Sequence, residues 1–274
     1  MKNNGFFKAV SINPKNMKNA ILLCFFIDGI VFIATFLLSL MNISLGILPQ
    51  IIYLITVLIV AASLGKDELN RIFAWRDIPV GALAGIMVMF FGLVIIKSEL
   101  NNLFQVAVPV PKGFFNNYFY EPNNILLNFI VIALLPGFTE EVIFRGVIAR
   151  RFFTTYSPWK AIILSAVLFG IMHMNPWQAV NAVYAGIFFG WIYLRYRSIW
   201  LCIFIHAYHN ILVTYVGFPY IPVENPGYLE IWRHPLWFDI MGILLFCFGL
   251  LTIIVTRANP QIIQKPNLAN NIAK

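Results

Sequence analysis

The sequence predicts an all-α, polytopic integral membrane protein, a helical bundle of about eight transmembrane helices with both ends in the cytoplasm. Three observations lead there. Apolar residues fill 60% of the 274 positions and charged residues only 11%, where a soluble domain carries roughly 25% charged. The apolar residues gather in runs close to the ~20 residues that a bilayer crossing needs. The basic residues sit on alternate sides of those runs. A water-soluble chain of this make-up would expose apolar patches large enough to drive aggregation.

The runs are 20–41, 43–64, 78–97, 124–144, 158–173, 178–194, 199–216 and 236–255. The first follows Lys2, Lys8, Lys15 and Lys18, as a secretion signal would. It is longer than a signal's ~7–15-residue apolar core and no small-x-small site follows, so it is read as a retained span. With the N-terminus inside, fifteen of the nineteen Lys and Arg residues fall in cytoplasmic segments. Three (Lys97, Lys112 and Arg233) fall outside, and Arg145 lies within a span. That bias supports an N-in, C-in orientation. The stretch 98–123, with Pro109, Pro111 and Pro122, reads as an outer loop with an interfacial aromatic belt, and 217–235 reads similarly. Gly81-x-x-x-Gly85 and Gly186-x-x-x-Gly190 offer small faces for close helix packing. No repeat or linker divides the chain, so 1–274 is taken as one membrane domain. The three cysteines lie inside apolar runs without metal or redox spacing, which argues against a disulfide framework. The net charge of +8 is scattered rather than striped. It reads as topogenic charge and attraction to anionic headgroups, not as a nucleic-acid surface.

Ionisable groups inside spans cost about 2.5–3.5 kcal/mol each on insertion scales and mark functional interiors. Here they fall in three places: Glu140, Glu141 and Arg145; Phe169 to His173; and His206, His209 and Asn210. At ~1.5 Å per residue, Glu140 lies ~15 Å from the basic boundary at Arg150. On the same scale His173 is ~20 Å beyond Lys160, His206 ~14 Å beyond Arg197, and Asn210 ~20 Å. Helices running in opposite directions thus bring these side chains to a common depth. Glu141 and Arg145 are four apart and share a face, which makes them an ion pair. Glu140, turned ~100° away, is freer to act as a base. His206 and Asn210, also four apart, are the donor types that stabilise an oxyanion. His173 and Glu140 are placed to hold a water. Asp28, Glu99, Gln178 and Asn181 lack such neighbours in sequence and read as packing, cavity-lining or interfacial residues. His209 and His234 are ambiguous.

Glu140-Glu141-x-x-x-Arg145, Phe169-x-x-x-His173 and His206-x-x-x-Asn210 together resemble the three signature motifs of the CPBP intramembrane protease family. That family includes type II CAAX prenyl endopeptidases and bacteriocin-processing and immunity-type proteins. The resemblance covers a catalytic core of about 124–216. It implies a cavity opening towards the cytoplasm, with Glu140 activating water beside His173. His206 and Asn210 would steady the oxyanion, Glu141 and Arg145 would support the base, and Phe169 would pack. No His-Glu-x-x-His helix, Gly-x-x-Asp pair or Gly-x-Ser nucleophile offers another chemistry.

The expected activity is endopeptidase cleavage of a membrane-associated or lipidated polypeptide, in a multi-pass protein of the bacterial cytoplasmic membrane. Family naming implies a metalloprotease, and Glu140, His173 and His206 form a set that can hold zinc with water in the fourth position. The same groups can also act without metal, and Asn210, a poor zinc ligand, favours that version. A non-catalytic scaffold or bacteriocin-immunity-type factor on the same fold is the alternative. A proton-relay transporter ranks below both, because the chain lacks repeated halves and matched broken helices.

Overall fold

The computed structural model describes residues 16–41, 47–112, 114, 124–216, 221–223 and 231–256. Lys2, Lys8 and Lys15 before the first span, most of the predicted loop segment 113–123, and the tail with Arg257, Lys265 and Lys274 lie outside them. The elements run α1 Met17–Leu40, α2 Leu48–Ser63, α3 Lys66–Ile72, α4 Val80–Ala107, α5 Ile125–Thr155, α6 Pro158–Ile171, α7 Pro176–Tyr196, α8 Ile199–Tyr215 and α9 Leu236–Val255. A short antiparallel pair, β1 Ile221–Val223 and β2 Ile231–Arg233, sets Pro222 opposite Trp232 between α8 and α9.

Eight of these helices coincide with the eight predicted spans; α3 is a short polar helix turned 117° from α2. Among the described residues α1, α4, α5 and α9 are long and apolar enough to cross a membrane, while α6 and α8 are apolar but shorter. At 14 and 17 residues these two reach only ~21 and ~26 Å, against a hydrocarbon core of ~30 Å. Phe32, Phe36, Leu244 and Phe248 stand exposed on α1 and α9, as lipid-facing side chains would.

Local signals set the helix ends. Asn16, Asn124, Asn175 and Ser198 cap α1, α5, α7 and α8, each accepting a backbone N–H three residues on. Proline occupies the first turn of α2, α6 and α7. Arg197 closes α7 in the left-handed conformation at φ 51°.

Where the sequence reads an outer loop from residue 98, α4 instead stays helical to Ala107. The reason is that its polar residues point inward and are paired. Glu99 accepts from Arg233, from the His234 backbone N–H at 2.9 Å and from Asn102 at 3.3 Å. His234, whose Nδ1 lies 2.9 Å from Asp239, is buried just before α9. Glu99 is therefore a latch joining the C-terminal part of α4 to β2 and to the residue pair before α9, not an unpartnered interfacial residue. Asn181 and Gln178 likewise have polar partners, Lys97 and Asn101 for the first and Asn175 for the second.

Packing between α4 and α9 depends on glycine. A methyl on Gly249 would lie 2.3 Å from the Met89 nitrogen, and one on Gly92 2.5 Å from the Gly242 oxygen. Both predicted small faces are used: Gly85 meets α9, and Gly186 meets Ala166 on α6. At the opposite end Glu68 of α3 gathers Arg71, Arg150 and Arg151. Two apolar cores result, one of α1, α2, α5 and α6, the other of α4, α7, α8 and α9.

Candidate active site

Between these two cores α5 is wound unevenly. Its α-helical turns alternate with π-helical segments at Phe129–Leu134 and Val142–Ala149, which bracket Leu135–Glu141. Such insertions are rare and concentrate at functional sites. Pro136 brings no N–H back towards the Ile132 carbonyl one turn before it. That carbonyl instead accepts the Asn210 Nδ2–H from α8 at 2.9 Å. Gly137 lets the two helices meet; a methyl there would sit 3.2 Å from the Ala207 nitrogen. The proline and the glycine of one turn thus dock α5 against the histidine-bearing face of α8.

Docking produces a buried charge network. Glu141 and Arg145 are both fully buried and pair at 2.7 Å. The same Glu141 Oε1 accepts from His206 Nδ1 at 2.8 Å. Arg145 Nη2 donates to the Gly186 carbonyl at 3.1 Å, and its guanidinium lies 4.9 Å from the Phe169 ring and 5.1 Å from Phe189. Phe189 stacks on His206 at 4.9 Å, and Phe169 meets His173 edge-on at 5.0 Å. Both Nη groups of Arg145 are thereby bonded while its buried Nε has no hydrogen-bond partner among the described residues, and Phe169 packs against both it and the histidine of its own motif.

Glu140 is treated differently. Its Oε2 faces His206 Nε2 at 3.7 Å, longer than a hydrogen bond, and it is part-exposed where Glu141 is sealed. A cavity of about 750 Å³ opens beside it, lined also by His173, His206, His209 and Asn210. A second of about 260 Å³ touches Glu140 from the side of α1 and α2, past Val31, Pro49 and Tyr53. With Nδ1–H donating to Glu141, neutral His206 turns a lone pair at Nε2 towards Glu140. Two acceptors face each other across a gap that a proton donor or a water must fill. His173 Nδ1 is 2.9 Å from the Phe169 carbonyl, so that N–H donates there and Nε2 is left as an acceptor.

The structure brings all six sequence-predicted residues together: Glu140, His173, His206 and Asn210 on the cavity, Glu141 and Arg145 behind it. Two further residues belong with them. His209, ambiguous in sequence, lies 2.9 Å through Nδ1 from Asn210 Oδ1 and so orients that amide. Its position three after His206 was the available signal. Lys97, read as an outer-boundary charge, is buried in the cavity wall.

The direction of the cavity corrects an expectation. Its lining reaches Lys97–Asn101 of α4, Gln178 of α7 and Thr214–Val216 of α8, and draws nothing from the helix ends that carry Arg150, Arg195 and Arg197. On the charge-derived orientation the cavity therefore extends towards the outer side, not the cytoplasm as the resemblance implies. Near the basic end of α5, Phe152 is buried and Glu68 pairs with Arg150 and Arg151.

Donor chemistry suits zinc, because each histidine has one nitrogen fixed by an oxygen acceptor and the other turned away. Spacing does not. Among the described residues the one set of three His, Cys, Asp or Glu side chains with donor atoms all within 4.8 Å is Glu99, His234 and Asp239. Glu140, His173 and His206 do not form such a set, so the chemistry below is derived from the side chains.

Residues 122–212 match the family described as type II CAAX prenyl endopeptidase Rce1-like. The matched segment contains Glu140, Glu141, Arg145, His173, His206 and Asn210 in order. Over these residues the chain is similar to the CPBP family. A Bacillus subtilis (strain 168) protein named "Putative membrane peptidase YdiL" is similar to it, 32% identical over 104 residues, which is 38% of this chain and 41% of that protein. The chain thus spans under half the length of the curated relative it matches. No solved structure matches the chain. The match covers α5 through most of α8, the helices that carry the charge network. Lys97 and the α4–α9 latch lie outside it.

Proposed function

We propose that the protein is an intramembrane endopeptidase that hydrolyses a membrane-associated polypeptide with water activated by Glu140. One observation carries the reading: two adjacent glutamates have been given opposite environments. Glu141 is sealed and tied to Arg145 and His206, while Glu140 faces a cavity inside the bundle. The first is scaffold and the second is reactive.

Water held between Glu140 and His173 Nε2 gives its proton to the Glu140 carboxylate as its oxygen attacks the scissile carbonyl carbon. The developing oxyanion takes the Asn210 N–H not used on Ile132. Glu141, accepting the Nδ1–H of His206, holds that ring with its Nε2 lone pair facing Glu140, placed to accept a hydrogen bond from the acid that forms there. When the C–N bond breaks, the proton on Glu140 passes to the departing amine. Glu140 thus ends as it began. A polypeptide reaches the site from lipid past α1 and α2 or from the outer end of the cavity. Quantitative proteomics of membranes carrying wild-type or Glu140→Gln protein tests the reading. A polypeptide fragment should appear only with the wild type; identical fragment patterns would refute it.

A further inference from the structure

Lys97 is the one Lys or Arg in the cavity lining, and it is only 5% exposed. Among the described residues its ammonium makes a single hydrogen bond, to the neutral Asn181 Oδ1 at 3.0 Å, and no ion pair. A buried ammonium is costly unless a counter-charge meets it. Among the described residues the other buried arginine and glutamates have such a partner: Arg145 pairs with Glu141, and Glu99 with Arg233. The surroundings of Lys97 are built for donation. Asn181 Nδ2 spends its hydrogens on the Trp177 carbonyl at 2.9 Å and on Asn101 Oδ1 at 2.6 Å. Asn101 is four residues after Lys97 on α4, so the two share a face. Asn181 fixes both, using its own donors and acceptor to do so. Both residues line the cavity, and the remaining N–H groups of Lys97 and the Nδ2 of Asn101 have no acceptor among the described residues.

We propose that Lys97 and Asn101 form a recognition subsite for a peptide carboxylate, in the cavity that holds Glu140. The proposal rests on the peptidase reading for the statement that the ligand is a peptide. One cation with one amide matches a singly charged, planar acceptor. Phosphate carries more charge than one lysine offsets, and the lining has no arginine fork to share it. The carboxylate is either the α-carboxylate of a chain end or an Asp or Glu side chain. The former would make the enzyme cut near a C-terminus, the latter at an acidic position.

Binding to the full-length Glu140→Gln protein in lipid nanodiscs tests this without turnover, so failure of hydrolysis and failure of recognition stay distinguishable. The probes are pooled apolar hexapeptides in three forms: free C-terminus, C-terminal amide, and C-terminal amide with one internal Glu. Retention is read by mass spectrometry. A carboxylate form should be retained about ten- to hundred-fold over the neutral amides, the range for a hydrogen bond to a charged group. Which form is preferred identifies the source of the carboxylate. Lys97→Gln should abolish the preference and Lys97→Arg keep most of it. Thermal unfolding separates recognition from structure. Removing a buried cation that lacks a counter-charge should leave the midpoint of Lys97→Gln and Lys97→Met unchanged or raised. Equal retention of all forms, retention of none, displacement by phosphatidylglycerol or inorganic phosphate, or a lowered midpoint in both variants would overturn the proposal.

Discussion

Glu141→Gln keeps the volume of a side chain that is fully buried but removes the charge two donors share. In the wild type a single oxygen, Glu141 Oε1, accepts Arg145 Nη1 at 2.7 Å and His206 Nδ1 at 2.8 Å. Glutamine can still offer a carbonyl to one of them, but Arg145, with no exposed surface, keeps its positive charge. Breaking a buried pair from one side costs about 3–5 kcal/mol. That is a large part of the 5–15 kcal/mol that separates folded from unfolded states. For a chain of this size 1 kcal/mol moves the unfolding midpoint by about 2–4 °C, so the expected loss is about 6–20 °C. Intrinsic tryptophan fluorescence during heating of purified protein in detergent reads it. Replacing both partners, Glu141→Met with Arg145→Met, should restore much of the loss, because no uncompensated charge then remains. A midpoint for Glu141→Gln within 2 °C of wild type, on the scale set above, would refute the argument that the fold depends on Glu141 holding Arg145 and, across to α8, His206.

Two further outcomes follow from the same geometry. Asn210→Ala should lower turnover about 10²–10³-fold, the loss expected for one oxyanion donor, with a modest drop in unfolding midpoint because the Ile132 carbonyl loses its donor; turnover within a factor of about three (under 1 kcal/mol) would remove it from that role. Reporter fusions after Met41, Lys112, Asn175 and Val216 should lie outside, and those after Gly65, Tyr156 and Arg197 inside, which also places the Lys97 end of the cavity outside; two or more reversed sites would overturn the orientation.

The eight apolar helices were legible because lipid demands long apolar runs and little else produces them. Glu141 with Arg145 was legible because four residues is a local distance, and the pair survives the π-helical winding that follows. The longer reach of α4 was not legible. Polar residues at its end look like a loop until their partners are known, and those partners lie far off in the chain: Asn181 for Lys97 and Arg233 for Glu99. The π-helical segments left no trace in spacing, though Pro136 and Gly137 marked where α5 departs from regularity. Sequence reasoning treated His206 and Asn210 as a donor pair. It did not show that Asn210 already spends one N–H on Ile132 and is oriented by His209, because both contacts follow from how α5 docks on α8. The cavity's direction was also hidden, since depth along a helix does not say from which end a site is lined.

The central claim is that Glu140, and not its neighbour, activates the water. Turnover of a fragment-defined substrate by purified, lipid-reconstituted protein tests it most directly, comparing wild type with Glu140→Gln. The account predicts a loss of about 10²–10⁴-fold, the range for a general base, in a variant whose unfolding midpoint stays near that of wild type. Wild-type turnover by Glu140→Gln would contradict it.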